Sequence, residues 1–190
     1  MQFDKQTVRQ ALLTGEEALF AYSLPTWEDF PTLPLYMDQV IYLLNGYLSL
    51  TPGREEGTIV TPAMINNYVK LKIIPPPVKK RYGRVHLAYL VMVCVLKQSI
   101  SIGDIKKLLP VALPEEEVRA SYAAFVRAGM EVKADFSRAM RQAAAPVLAA
   151  DGPPVTDLIF RTAVAANLFR LTTQQMVILS ASGRDGPGDK

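Results

Sequence analysis

The sequence predicts a mainly α-helical fold. Three observations carry the prediction. Apolar residues recur at three-four spacing in successive runs, the mark of helices with one buried face. Two places have the chemistry of a helix start, Thr61-Pro62 and Ser101 with Asp104 three residues on. Most prolines fall between those runs and not inside them.

Residues 4–22 fit a helix with Val8, Leu12, Leu19 and Phe20 on its apolar side, weakened by Gly15. The following run, SLPTWEDFPTLP, carries Pro25, Pro31 and Pro34 and reads as extended chain laid over a surface. Trp27 and Phe30 are its expected anchors, since an aromatic ring buries much area at small entropy cost. Residues 37–49 form an amphipathic helix through Met37, Val40, Ile41, Leu44 and Leu48, with Asp38 favouring its N-terminal end. TPGREEG is then a hydrophilic loop.

Thr61 suits an N-cap and Pro62 the first helical position, where it has no donor to lose. The short helix that follows turns Met64, Ile65, Tyr68 and Val69 inward and Ala63, Asn66, Asn67 and Lys70 outward. Pro75, Pro76 and Pro77 force an extended strut, which ends in Lys79, Lys80, Arg81 and Tyr82 before Gly83 turns the chain. Residues 84–98 are apolar on almost every side and are expected at the centre of the core. Ser101 caps a short helix that buries Ile102, Ile105, Leu108 and Leu109 and stops at Pro110.

Two longer helices are predicted next. Residues 114–145 carry Val118, Tyr122, Phe125, Val126, Val132, Phe136 and Met140 at helical spacing. Residues 155–181 carry Leu158, Ile159, Val164, Leu168, Leu171, Met176 and Leu179. The turn at Asp151, Gly152, Pro153 and Pro154 is short, so the pair is expected to pack antiparallel. The predicted organisation is a lead-in at 1–36, a central module at 37–110, a C-terminal helical region at 111–182 and a disordered tail at 183–190.

Charge is concentrated. Residues 61–109 hold nine Lys or Arg against Asp104 alone, nine less one giving +8 in a chain whose total is +3. The remainder is therefore net −5, and positive charge belongs to one module. A short helix and a turn ringed by cations point to double-stranded DNA as the partner.

Other classes are excluded or disfavoured by what the residues lack. The beginning, MQFDKQTVRQALL, has no long apolar core of a signal peptide, and the apolar run 85–96 is about half of what a bilayer needs. No membrane partner is expected. The single cysteine, Cys94, allows no intrachain disulfide framework and no thiolate cluster, and suits a cytoplasmic setting. It reads as a small core residue, and His86, the only histidine, as a satisfied structural one. The acidic pairs Glu16-Glu17 and Glu55-Glu56 and the run Glu115–Glu117 sit in hydrophilic contexts. There is no phosphate-binding glycine loop and no metal-ligand spacing, so no catalytic residues, no metal and no cofactor are expected, and the chain is not read as an enzyme.

With the residues placed, 61–109 resembles the winged helix-turn-helix of MerR-type transcription regulators. The likeness rests on Thr61-Pro62, Ile65, Tyr68, the Ile-Ile-Pro-Pro run at 73–76, the basic residue before Tyr82, then Leu87, Leu90 and Leu96 and the SIGDIKKLL segment. The chain up to about residue 109, LPLYMDQVIYLLN included, is more similar still to a bacterial family known only as domain of unknown function eighteen thirty-six. The MerR pattern usually has arginine where this chain has Asn66, glycine where it has Lys72, a longer wing than PPPVKKRYG, and a shorter loop than 50–60.

That resemblance implies a transcription regulator whose second helix enters the major groove. Asn66 and Asn67 on its outward face would bond adenine, while Thr61, Lys70, Lys72, Lys79, Lys80, Arg81, Tyr82 and Arg84 would meet the backbone or flank the groove. Tyr82 suits core packing equally. The helices after Pro114 would hold a homodimer, matching two-fold symmetry to a palindromic operator. The alternative is a protein–protein interaction module that keeps the scaffold without DNA binding, as the departures from the pattern suggest. A lesser expectation is a small-molecule pocket in the C-terminal helices lined by Phe125, Phe136, Met140, Phe160 and Phe169.

Overall fold

The computed structural model describes residues 4–21, 23–49, 59–149 and 151–182. Among them run seven α-helices: α1 (Lys5–Ala21), α2 (Met37–Leu48), α3 (Pro62–Lys70), α4 (Arg84–Leu96), α5 (Ile102–Leu108), α6 (Glu115–Leu148) and α7 (Val155–Ser182). The protein is mainly helical, as its periodicity predicts.

Helix α4 is the hub because no side of it is polar. His86 to Cys94 are buried without interruption. Around it close Val40, Leu44 and Leu48 of α2, Ile65 and Tyr68 of α3, Ile105 of α5, and Val118, Tyr122 and Val126 from the first half of α6. The inward and outward faces of α3 fall as the three-four spacing requires, with Asn66, Asn67 and Lys70 exposed.

The proline-rich lead-in belongs to the same core. Trp27 and Phe30 are buried, and the Phe30 ring meets those of Tyr122 at 5.1 Å and Tyr47 at 6.1 Å, tilted against both. Chain with so few amides free for helix bonding is tied down by side chains instead. The Tyr122 hydroxyl donates to the Pro25 carbonyl at 2.7 Å, Tyr47 to that of Asp29 at 3.0 Å, and Arg84 Nε to that of Phe30 at 3.0 Å. One core thus joins residues on both sides of the boundaries expected at 36 and 110.

A second, smaller cluster forms at the far end of α6. Ala144 and Val147 meet Val155 and Leu158 of α7, with Val8 and Leu12 of α1 packed against them. Leu19 and Phe20, expected on the same face of α1, have side chains outside the described residues. Helix α6 has no basic residue in its own last turn. Lys5 of α1 supplies the charge, donating to the Ala149 carbonyl at 2.8 Å, and Arg9 reaches the Leu148 carbonyl at 3.4 Å. Cations at the negative end of a helix dipole are favourable. The turn into α7 requires Gly152, because a Cβ there would run into the Pro146 carbonyl.

Several expected burials are not found. Leu108 of α5, and Val132 and Phe136 of α6, are exposed. On α7, Ile159, Val164, Leu168, Leu171, Met176 and Leu179 are exposed too. Helix α7 touches both α6 and α5, but among its described side chains burial is confined to Val155 and Leu158 at one end and Val177 near the other. Its apolar residues lie on all sides, more than one neighbouring helix can cover. The tail expected at 183–190, and most of the loop expected at 50–60, lie outside the described residues.

Candidate nucleic-acid interface

Thr61 does what its chemistry predicts: its hydroxyl accepts from the Met64 amide at 3.3 Å and caps α3. How the chain arrives there was not legible. The Asn45 side chain of α2 takes the Val60 amide on Oδ1 at 3.0 Å and donates Nδ2 to the Val60 carbonyl at 3.4 Å. One carboxamide therefore sets where α3 starts, whatever the length of the loop before it. An asparagine inside an apolar helix, one turn after Ile41, was the only hint.

The C-terminal end of α3 is a Schellman turn. The Ile73 amide bonds the Tyr68 carbonyl at 2.9 Å and the Lys72 amide that of Val69 at 3.0 Å, with Ile73 and Tyr68 both buried. Such a turn puts its C′ residue in left-handed backbone, which favours glycine. Lys72 occupies that position, at φ 55°.

The same substitution recurs at the tip of the strut. Val78 and Arg81 exchange two hydrogen bonds at 3.0 Å, closing a hairpin on the two residues between them. Those residues are Lys79 at φ 50° and Lys80 at φ 63°. Two consecutive positive φ values make a turn of the mirror-image kind that Asn-Gly fills without strain. Lysine pays for it: the left-handed conformation costs an L-residue with a Cβ roughly 1–2 kcal/mol. Among the described residues, every non-glycine position with positive φ is a lysine, and all three are exposed.

Below the tip the hairpin is fastened to the core. Leu35 of the lead-in pairs reciprocally with Tyr82, both bonds at 2.9 Å. Tyr82 is 3% exposed and meets the His86 ring edge-on at 5.5 Å. Of the two roles open to Tyr82 the packing role is the one seen. His86 Nδ1 accepts from the Gly83 amide at 3.0 Å, which leaves Nε2–H to donate to the Pro76 carbonyl at 3.0 Å. Both ring nitrogens are used, as a structural histidine requires, and they join the strut to the start of α4.

Arg81 and Arg84 are less free than their charge suggests. Arg81 donates to the Tyr36 hydroxyl at 2.8 Å with its guanidinium 4.6 Å from that ring's centroid. Arg84 is half-buried and gives Nε to the lead-in. Tyr36, which no sequence pattern singled out, is therefore part of this surface. The freely exposed polar set comprises Asn66, Asn67, Lys70, Lys72, Lys79 and Lys80. Cys94 lies beneath, its thiol pushed up to about 11 by burial, a chemically quiet core residue.

Residues 25–125 match the family described as Domain of unknown function (DUF1836). The chain belongs to this family. No curated protein and no solved structure gives a match. The extent of the DUF1836 match coincides with the main core, whose buried members run from Trp27 to Val126. Asn45, the α3 cap, the three left-handed lysines and the His86 clasp all fall inside it. The far half of α6 and the whole of α7 fall outside.

Proposed function

We propose that this chain is a DNA-binding transcription regulator of winged helix-turn-helix type. In this reading α2 and α3 are the helix-turn-helix, the 78–81 hairpin is a minimal wing, and α3 lies in the major groove of double-stranded DNA. The carrying observation is the lysine at each of the three left-handed positions, 72, 79 and 80. Glycine or asparagine would relieve strain at every one, so the chain keeps a cation there at a conformational cost. Charges held on turns are suited to phosphates, which position a protein on the duplex without specifying sequence. Asn66 and Asn67, outward on α3, are suited to adenine N6 and N7 in the groove.

The regulator acts as a homodimer through the C-terminal helices. The exposed apolar residues of α7 support this, and a second copy is the partner that a palindromic site requires.

The test is fluorescence anisotropy on a mixed-sequence duplex over a range of salt. A dimer with six to eight phosphate contacts gives a slope of log affinity on log salt of about −5 to −7. Charge reversal, Lys79→Glu with Lys80→Glu, weakens binding across all sequences. A slope near zero ends the proposal. Loss of a protein partner in that variant, with nucleic-acid affinity unchanged, selects the interaction module instead.

A further inference from the structure

Two backbone pairings fix where Tyr36 and Arg81 stand before their side chains are placed. Leu35 and Tyr82 exchange bonds at 2.9 Å, and Val78 and Arg81 at 3.0 Å. Tyr36 is fixed again from α2: its amide donates to Gln39 Oε1 at 2.9 Å and its carbonyl accepts from the Val40 amide at 3.0 Å. From these anchored positions the Arg81 guanidinium comes to lie 4.6 Å from the centroid of the Tyr36 ring, and its Nη2 donates to the Tyr36 hydroxyl at 2.8 Å.

The pair does little for stability. Both residues are exposed, and a cation against a ring in water is a weak contact. The hairpin is closed and tied to the lead-in by its backbone without it. What the pair does is hold a charge in one place without cancelling it. Arg119, Arg138, Arg141 and Arg161 each face a carboxylate. Arg81 bridges no carboxylate among the described residues; its neighbour is a neutral ring that takes one N–H and orients the plane. The guanidinium keeps its full charge, most of its donors and its access to solvent. A planar fork of this kind can take two oxygens of one phosphate, whereas a lysine is a point charge on a flexible stem.

We infer that Tyr36 is a positioning residue, which sets Arg81 as a preformed clamp for one phosphate of the duplex backbone in each half-site. This rests on the proposed function and adds to it a residue from outside the basic module. The left-handed lysines supply charge and Arg81 a fixed geometry. A long side chain ordered in the free protein does not have to be ordered on binding.

Affinity for a mixed-sequence duplex is measured by fluorescence anisotropy over a range of salt, with thermal melts, for the natural chain, Tyr36→Ala, Arg81→Gln and the double variant. Arg81→Gln removes one phosphate contact per subunit, so the salt slope of a dimer becomes shallower by about 2. Tyr36→Ala leaves every cation in place. Its slope is unchanged, its melting temperature moves little, and its affinity falls about two- to ten-fold per subunit, the worth of one side chain left to be ordered on binding. Added to Arg81→Gln it lowers affinity no further, because Tyr36 acts through Arg81. The same cycle with Tyr36→Phe, which keeps the ring, gives a smaller loss of the same kind. A natural chain that binds with a steep slope, beside a Tyr36→Ala variant that binds as well, overturns the inference and leaves the proposed function standing. So do single-variant losses that multiply in the double variant. So does a shallower slope in Tyr36→Ala, since a merely structural tyrosine would take the cations with it. A natural chain with a slope near zero overturns both.

Discussion

Asn45 holds Val60 from both sides, accepting its amide at 3.0 Å and donating to its carbonyl at 3.4 Å. The pairing imitates a strand, but one partner is a side chain. It lets α3 begin at a fixed place relative to α2 although the stretch between them is long. Replacing Asn45 by alanine strands two part-buried backbone groups. The expected cost is about 1–3 kcal/mol, a fall in melting temperature of roughly 2–10 °C for a chain of this size. Hydrogen exchange of the Val60 amide should lose its protection first. An unchanged melt with Val60 still protected would show that the loop carries its own fixation.

On the proposed function, the left-handed lysines set stability against binding. Lys79→Asn with Lys80→Gly gives the hairpin the residues its turn prefers. The doubly substituted chain should be more stable by about 1–3 kcal/mol, since each left-handed lysine carries roughly 1–2 kcal/mol of strain. Its affinity for duplex DNA should fall. If both lysines of each subunit touch phosphate, the salt slope becomes shallower by about 3 to 4. Equal affinity before and after the exchange would leave the strain without the purpose assigned to it.

The fold was largely legible because its helices carry their own punctuation. Thr61-Pro62 and Ser101-Asp104 announce helix starts by local hydrogen bonding, and the all-apolar α4 announces the hub by lacking a polar side. The candidate surface was legible as charge but not as geometry. Nothing local marks Lys72, Lys79 and Lys80 as left-handed, since residue preference argues for glycine there. Tyr36 and Asn45 were missed because their partners, Arg81 and Val60, lie 45 and 15 residues away. Periodicity also overstated the burial of α6 and α7. It reports which residues are apolar, and cannot say whether this chain or another covers them.

Acid should loosen the turns before the core. Asp29 is held below its ordinary value of 3.8 by the Thr26 amide and hydroxyl, at 2.7 and 2.8 Å. Asp104 is held down by the Ser101 hydroxyl at 2.7 Å, with Lys107 assisting. A carboxylate whose folded value is depressed contributes stability that is complete above the unfolded value and is lost as pH falls through the folded one. The melting temperature should therefore be flat down to about pH 5 and decline below about pH 4. Carboxyl titration by NMR should place the Asp29 midpoint below 3.8, and Thr26→Val should return it upward. A midpoint unmoved by that substitution would mean that the hydroxyl adds nothing to the hold of the Thr26 amide.

The exposed side of α7 is where the proposed dimer would form. Phe160, Val164, Leu168 and Leu171 follow one another at steps of four, four and three, a stripe fit for a helix of the same kind. A second copy offers the same stripe, so a two-fold contact would bury each residue twice. The expected species at micromolar concentration is a dimer, read by sedimentation velocity. Leu168→Lys places a charge in the middle of the stripe on both subunits. Burying one such side chain is worth about 1.5–3 kcal/mol, so its loss on both sides weakens association by roughly 10²- to 10⁴-fold. The variant should sediment as a monomer with its helix content intact, because position 168 touches little within its own chain, and should bind a palindromic duplex without cooperation between half-sites. A natural chain that is already monomeric at that concentration would turn the argument over. The apolar surface of α7 would then need another occupant, and a dimeric regulator would have lost the element that joins its halves.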